Sequence, residues 1–149
     1  MDKTDIKLLR QIEMDGRQSF AMLAERVGLS KTPCWQRVQK LETDGVIKGY
    51  GARIDPRKLG LNLYAFVHAT INASKYTEFE TAVLRHPSIL QCFSTAGEAD
   101  YVMHVLVRDI LALDELTRME LAHLPGVERT VTTVCMKTIK EHGLVVGCL

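Results

Sequence analysis

No run of apolar residues approaches the roughly 18 needed to cross a bilayer, so the sequence carries no recognisable membrane span. Lys3, Asp5, Lys7 and Arg10 interrupt the start of the chain, which excludes a secretory h-region there. A cytoplasmic protein with no membrane partner is expected. The four cysteines (Cys34, Cys92, Cys135 and Cys148) lie far apart, with no C-x-x-C and no nearby histidine pair. That spacing offers neither a zinc site nor a redox pair, and in a cytoplasmic protein it fits reduced, mostly buried thiols. A nucleophile elbow and a P-loop are also missing. No metal, no cofactor and no catalytic residue is therefore expected. A strong charge of one sign is absent too, because nineteen Lys and Arg against eighteen Asp and Glu leave a net +1.

What the chain does have is ordinary globular composition: 149 residues, 46% hydrophobic and 25% charged, enough for one domain or two small ones. The small net charge hides an uneven distribution. Residues 1–60 carry twelve basic and eight acidic side chains, a local +4, whereas residues 61–149 carry seven and ten, a local −3. Two modules with different partners follow from this, the first suited to an anionic one.

The first module, 1–60, reads as three helices. Asp2 and Asp5 place carboxylates at the positive end of the first, and Ile6, Leu9 and Ile12 recur at helical spacing until Asp15-Gly16. Ser19 can cap a second helix that buries Phe20, Leu23, Ala24 and Val27. Gly28-Leu29-Ser30 is then a tight turn, and Ser30 a natural N-cap for a third helix with Pro33 in its first turn and Gly45 as its left-handed stop. Two helices joined by a short glycine turn form a helix-turn-helix unit. At about 100° per residue, Cys34, Val38 and Leu41 of the third helix share one stripe. Thr32, Gln36, Gln39 and Thr43 lie opposite, with Lys40 beside them and Lys31, Trp35 and Arg37 on the flanks. Such a face can hydrogen-bond bases and phosphates. Gln36 and Gln39 are the candidates for base edges, Thr32, Trp35 and Arg37 for bases or phosphates, and Lys31 and Lys40 for phosphates, with Ser30 at the helix N-terminus. Trp35 fits a core position equally well. Val46 to Ile54 reads as a strand or short ribbon, hence a wing or a hinge.

The second module, 61–149, reads strand, helix, strand, strand, helix, strand. Leu63 to Asn72 is strand-forming, and Ser74 can cap a helix with Tyr76, Phe79 and Val83 inward, stopped by Pro87. Strands follow over Ile89 to Ala96 and Asp100 to Arg108. Asp109 caps a helix carrying Leu113, Leu116 and Leu121, and Val127 to Ile139 is the last strand. This order predicts a ferredoxin-like β-α-β-β-α-β fold, and the whole chain an α+β protein. Helices cover one sheet face only, and the other should be polar where it meets water. Here Tyr64 and Phe66, like Val102 and Leu106, make the second face apolar, so a homodimer through that face is expected. His68 and His104 fall on these strands, on sheet surfaces that can line a cavity, and read as hydrogen-bonded interface histidines.

Together these residues resemble the Lrp/AsnC family of transcription regulators. The resemblance rests on Leu23-Ala24-Glu25-Arg26-Val27-Gly28-Leu29-Ser30, Thr32-Pro33-Cys34 with Arg37-Val38, Gly45-Val46-Ile47-x-Gly49-Tyr50, Gly97-x-x-Asp100-Tyr101 and Leu124-Pro125-Gly126-Val127. It implies a winged helix-turn-helix domain that binds double-stranded DNA. It also implies an effector-binding domain, dimers that assemble into an octamer (a tetramer of dimers), and a small effector, usually an amino acid, bound between dimers near the Gly-x-x-Asp-Tyr hairpin. With the effector placed there, Gly97, Glu98 and Ala99 offer backbone N–H groups to a carboxylate. Asp100 can take the ammonium, and Tyr101, Thr132 and Thr133, from this chain or a neighbour, can wall the site. A plain hairpin with Asp100 as a turn residue is the other reading. One rival function comes with the family, a sirohaem-type tetrapyrrole decarboxylase, and a further reading is an architectural DNA-binding protein with no effector.

Overall fold

The computed structural model describes residues 1–149. The chain forms two compact units, one of Met1–Arg53 with Ile139–Leu149 and one of Ile54–Thr138. Residues 54–60, read with the first module, and the tail, read with the second, group the other way round.

The first unit holds α1 (Lys3–Met14), α2 (Phe20–Val27) and α3 (Lys31–Thr43). Asp2 closes a capping box on α1: its carboxylate accepts from the Thr4 and Asp5 N–H groups while Asp5 accepts from the Asp2 N–H. Ser19 Oγ caps α2 by accepting from Met22 N–H at 3.2 Å. Ser30 occupies the N-cap of α3 without a side-chain capping bond. Leu8, Leu23, Ala24, Cys34 and Val38 make the core, with Ile12, Phe20, Val27, Leu29 and Ile47 around it. Residues 46–54 are not a strand. The first unit contains no strand to pair with them, and a strand exists only as part of a ladder. In the tail, a 3-10 turn (Val145–Cys148) has its first N–H groups held by α1, where the Glu13 carboxylate accepts from Val145 and Val146.

The second unit is a four-stranded antiparallel sheet in the order β2-β3-β1-β4. Its strands are β1 (Leu63–Ile71), β2 (Ile89–Ser94), β3 (Tyr101–Val107) and β4 (Val127–Val134). Two helices pack on one face: α4 (Tyr76–Arg85), and α5 (Ile110–Glu115) with its continuation through a π-helical turn (Leu116–Glu120) and a 3-10 turn (Leu121–His123). This is the expected ferredoxin-like layering. The π turn explains the spacing of the buried leucines. An α-helix carrying Leu113 and Leu116 inward would next bury residue 120, and the extra residue of a wider turn brings Leu121 into the core instead.

Several boundaries differ from expectation. Asn72, not Ser74, caps the approach to α4: its Oδ1 accepts from the Ser74 N–H and hydroxyl, and a 3-10 turn (Ala73–Lys75) precedes the helix. The last strand stops at Val134, because β1, its only ladder partner, begins its β4 pairing at Ala65 opposite that residue. Gly126 has φ +76°, and a Cβ there would collide with Lys75 and crowd Ile71. Gly126→Ala is therefore expected to lower the melting temperature measurably by circular dichroism, since a left-handed backbone and a steric clash combine.

Candidate DNA interface and effector site

Alternation along α3 separates two kinds of residue. Cys34 and Val38 are buried against α1 and α2, and Leu41 is buried on the same stripe, which turns the opposite side outward. Lys31, Thr32, Gln36, Gln39, Lys40 and Thr43 are all exposed there. Trp35 is 47% exposed and outside the core, so its core reading is overturned. Gly28, at φ +74°, closes α2 with its N–H donating to Ala24 and Glu25 carbonyls, and this tight reversal sets the start of α3 beside α2.

The expected contact residues then divide by their partners. Ser30 at the N-cap of α3, and Lys31, Thr32, Trp35 and Gln36 in its first half, make no side-chain bond within the chain. The others are engaged. Gln39 donates to Glu42 at 2.7 Å, and Glu42 also accepts from the Tyr50 hydroxyl. Burial first, then this carboxylate, pushes the Tyr50 phenol up to about 12. Lys40 pairs with Asp44 at 3.1 Å.

Arg37 is a correction. Its guanidinium donates to Asp2 and Asp5 at 2.7 Å each, tying α3 to the capping box of α1 rather than reaching outward. These bonds hold the Asp2 carboxyl below its ordinary range, the Asp5 N–H contributing most and Arg37 next. The resulting stability is present above the ordinary value of 3.8 and is lost as pH falls through the lowered one. Arg37→Met is expected to lower the melting temperature at neutral pH and to weaken its fall on acidification, and thermal melts from pH 7 to pH 3 check both.

In the second unit, residues 95–100 join β2 to β3. Thr95 N–H donates to the Asp100 carbonyl, Thr95 Oγ1 donates to the Ala99 carbonyl, and Asp100 N–H donates to the Ala69 carbonyl. Gly97 and Glu98 are exposed at the tip. The Asp100 carboxylate is already engaged: Oδ2 accepts from Ile71 N–H at 2.8 Å and Oδ1 from the Tyr76 hydroxyl at 3.3 Å. It pins the connection to β1 and α4.

The expected walls do not share one face. Tyr101 is 5% exposed on the helix side, its hydroxyl donating to Glu80 at 2.6 Å and its ring packed on Phe79. Glu80 chiefly, with burial, pushes this phenol up to about 12. Thr132 pairs with Val67 and so points to the same side, whereas Thr133 pairs with Phe66 on the other. Adjacent strand residues point to opposite faces, so Thr133 alone lies with the depression at this end of the sheet. That depression measures about 290 Å³ and is lined by His68, Thr70, Glu98, Ala99, Arg129, Val131 and Thr133. Reading the residues had missed Thr70 and Arg129. Only the register, which sets Thr70 opposite Arg129, brings them together.

The rest of this face is apolar. His104 stacks between Tyr64 and Phe66, with ring centroids 5.2 and 4.8 Å away. Phe66, Phe93 and Val131 are 37%, 54% and 46% exposed. Burial holds the His104 imidazole below its ordinary value.

A helix-turn-helix unit with a free polar face, followed by a ferredoxin-like sheet with a depression beside its hairpin, is the plan of a ligand-responsive DNA-binding regulator. Comparison with known proteins agrees. Residues 1–48 match the winged helix-turn-helix DNA-binding family, and residues 64–145 match the Lrp/AsnC ligand binding domain. The leucine-responsive regulatory protein of Escherichia coli (strain K12) is 38% identical over 144 residues, covering 95% of this chain and 88% of that protein. The proline dehydrogenase transcriptional activator of Rhizobium radiobacter is 36% identical over 147 residues, covering 97% and 94%. A crystal structure of a transcriptional regulator from Neisseria meningitidis, in complex with L-Met, superposes with a TM-score of 0.93 at 32% identity, covering 97% and 96%. The chain belongs to the Lrp/AsnC family of DNA-binding transcriptional regulators. These relatives are regulators, not enzymes, and no helix is long and apolar enough to cross a membrane.

Proposed function

We propose that the protein regulates transcription by reading duplex DNA with the first half of α3, as a dimer or larger assembly whose DNA affinity responds to a free amino acid. The observation that carries the DNA reading is the set of unpartnered side chains Ser30, Lys31, Thr32, Trp35 and Gln36. In a helix-turn-helix the N-terminal residues of the second helix meet base edges, and its N–H groups favour phosphate. Gln39 and Lys40 contribute after exchanging their partners for DNA. Arg37 acts by positioning α3.

The assembly forms through the apolar sheet face, where Phe66, Phe93 and Val131 gain most from being covered. The amino-acid class is supported by the names of relatives, one leucine-responsive and one crystallised with L-Met. The effector lies beside the 95–100 connection, where Gly97, Glu98 and Ala99 are accessible and Asp100 fixes their shape.

Fluorescence anisotropy with labelled genomic fragments, titrated with each of the twenty amino acids, tests this reading. At least one amino acid is expected to change the DNA affinity at least fivefold, because an effector acts only through differential affinity for the two states. Tight binding indifferent to all twenty would instead mark an architectural DNA-binding protein.

A further inference from the structure

Helix α3 leaves one large hydrophobic side chain in water, that of Trp35. A single exposed apolar residue needs no explanation by itself. Trp35 differs in its position. Lys31 and Gln39, four residues before and after it, share its side of the helix and are exposed with it. The indole lies outside the core and makes no hydrogen bond or ring contact within the chain. It therefore stands free on the side of α3 that carries the polar candidates for DNA contact.

The chemistry of indole decides which base edge it fits. Its Nε1–H donates, and it has no acceptor. Cytosine and adenine present amino donors in the major groove, and these need an acceptor from the protein. Guanine presents two acceptors and no apolar group. Thymine presents one acceptor, O4, together with the 5-methyl group, the only apolar feature of the major groove. One donor on an apolar ring is the complement of one acceptor beside a methyl. A phosphate would use the N–H alone and leave the ring in water, and Lys31 suits that role better. Fixing an indole also costs little entropy, because only two side-chain torsions are held.

We propose that Trp35 is a specificity-determining residue whose ring covers the 5-methyl group of one thymine in each half-site, with its Nε1–H directed to O4 of that base. This rests on the DNA reading given above and assigns a base to one of its residues.

The test uses the full-length protein and operators that the wild type selects from a random duplex library. Each thymine is replaced in turn by deoxyuridine, which lacks only the methyl group, and affinity is read by fluorescence anisotropy. At one thymine per half-site the replacement should weaken wild-type binding about fourfold, the worth of one buried methyl. Trp35→Ala should bind the thymine operator at least tenfold more weakly and no longer distinguish the two bases there. Trp35→Phe, which keeps an apolar ring without the N–H, should retain the uracil sensitivity. The chain has one tryptophan, so its emission reports this residue directly and should shift to shorter wavelength on the thymine operator. Position 35 is exposed and outside the core, so the melting temperature of both variants should stay unchanged. The uracil series on the wild type judges the inference even where a variant loses stability. Uracil tolerated at every position overturns the inference and leaves DNA reading by α3 standing. Equal uracil sensitivity in the wild type and Trp35→Ala does the same, since another side chain would then hold the methyl. Wild-type operator affinity in Trp35→Ala also overturns it. Failure of the wild type to select any operator overturns the inference and the DNA reading together.

Discussion

A Phe66→Glu variant is expected to be monomeric at micromolar concentration, where the wild type has at least twice the mass of the chain by light scattering. Phe66 sits on central strand β1, between β3 and β4, with its ring 4.8 Å from that of His104. In a covered interface the new carboxylate would lose water, with no fixed cation beside it and only a His104 ring that burial keeps neutral. An unpaired charge so placed costs about 3–5 kcal/mol, which shifts a dissociation constant by two to three decades or more. The monomer itself should fold, because position 66 is 37% exposed and outside the helix-covered core. A folded Phe66→Glu protein with the wild-type mass would place the interface elsewhere.

The same cluster gives a pH dependence. Burial holds His104 below its ordinary value of 6.5, so the folded state favours the neutral ring. The stability associated with that neutral ring is complete above 6.5 and is lost as pH falls through the lowered value. Covering the face adds to the desolvation, so dimer mass should fall first on the acidic side. His104→Leu should flatten that dependence in light scattering between pH 8 and pH 5.

The second large effect is expected at Gln36. Gln36→Ala should lower operator affinity by about 1–3 kcal/mol and relax the preference at one base position, as for any lost bidentate base contact. Lys31→Ala should instead weaken all sequences alike and reduce the salt slope by about one. Gln39 and Lys40 should cost less, since each already has an intrachain partner to which it returns, Glu42 and Asp44 respectively. A binding-site selection on wild type and variants separates these patterns.

How much of this was legible in the residues depends on the range of the interaction. Local signals were sufficient for the helices: the capping carboxylates of Asp2 and Asp5, Ser19 before α2, and the left-handed Gly28 and Gly45 all mark element ends as observed. Hydrophobic periodicity likewise placed Cys34, Val38 and Leu41 inward and set the strand and helix order of the second unit. Long-range pairings were not visible. Nothing in the local sequence joins Arg37 to carboxylates more than thirty residues away, so it read as a DNA contact. Tyr101 and Thr132 read as effector walls because the family resemblance places the effector at the hairpin, whereas the face each takes depends on the ladder register. The segment 46–54 has strand-forming residues, yet a ladder needs a second strand and this unit supplies none.

The most direct test of the central claim is a DNase I footprint of the wild type and Gln36→Ala proteins across genomic fragments selected by the wild type. The wild type should protect paired half-sites about one helical turn apart, or a multiple of it, because two copies of α3 related by a dyad read them. Protection should be lost or need at least fivefold more protein in the variant. Identical footprints from both proteins, or no protected site at low salt, would contradict DNA reading by α3.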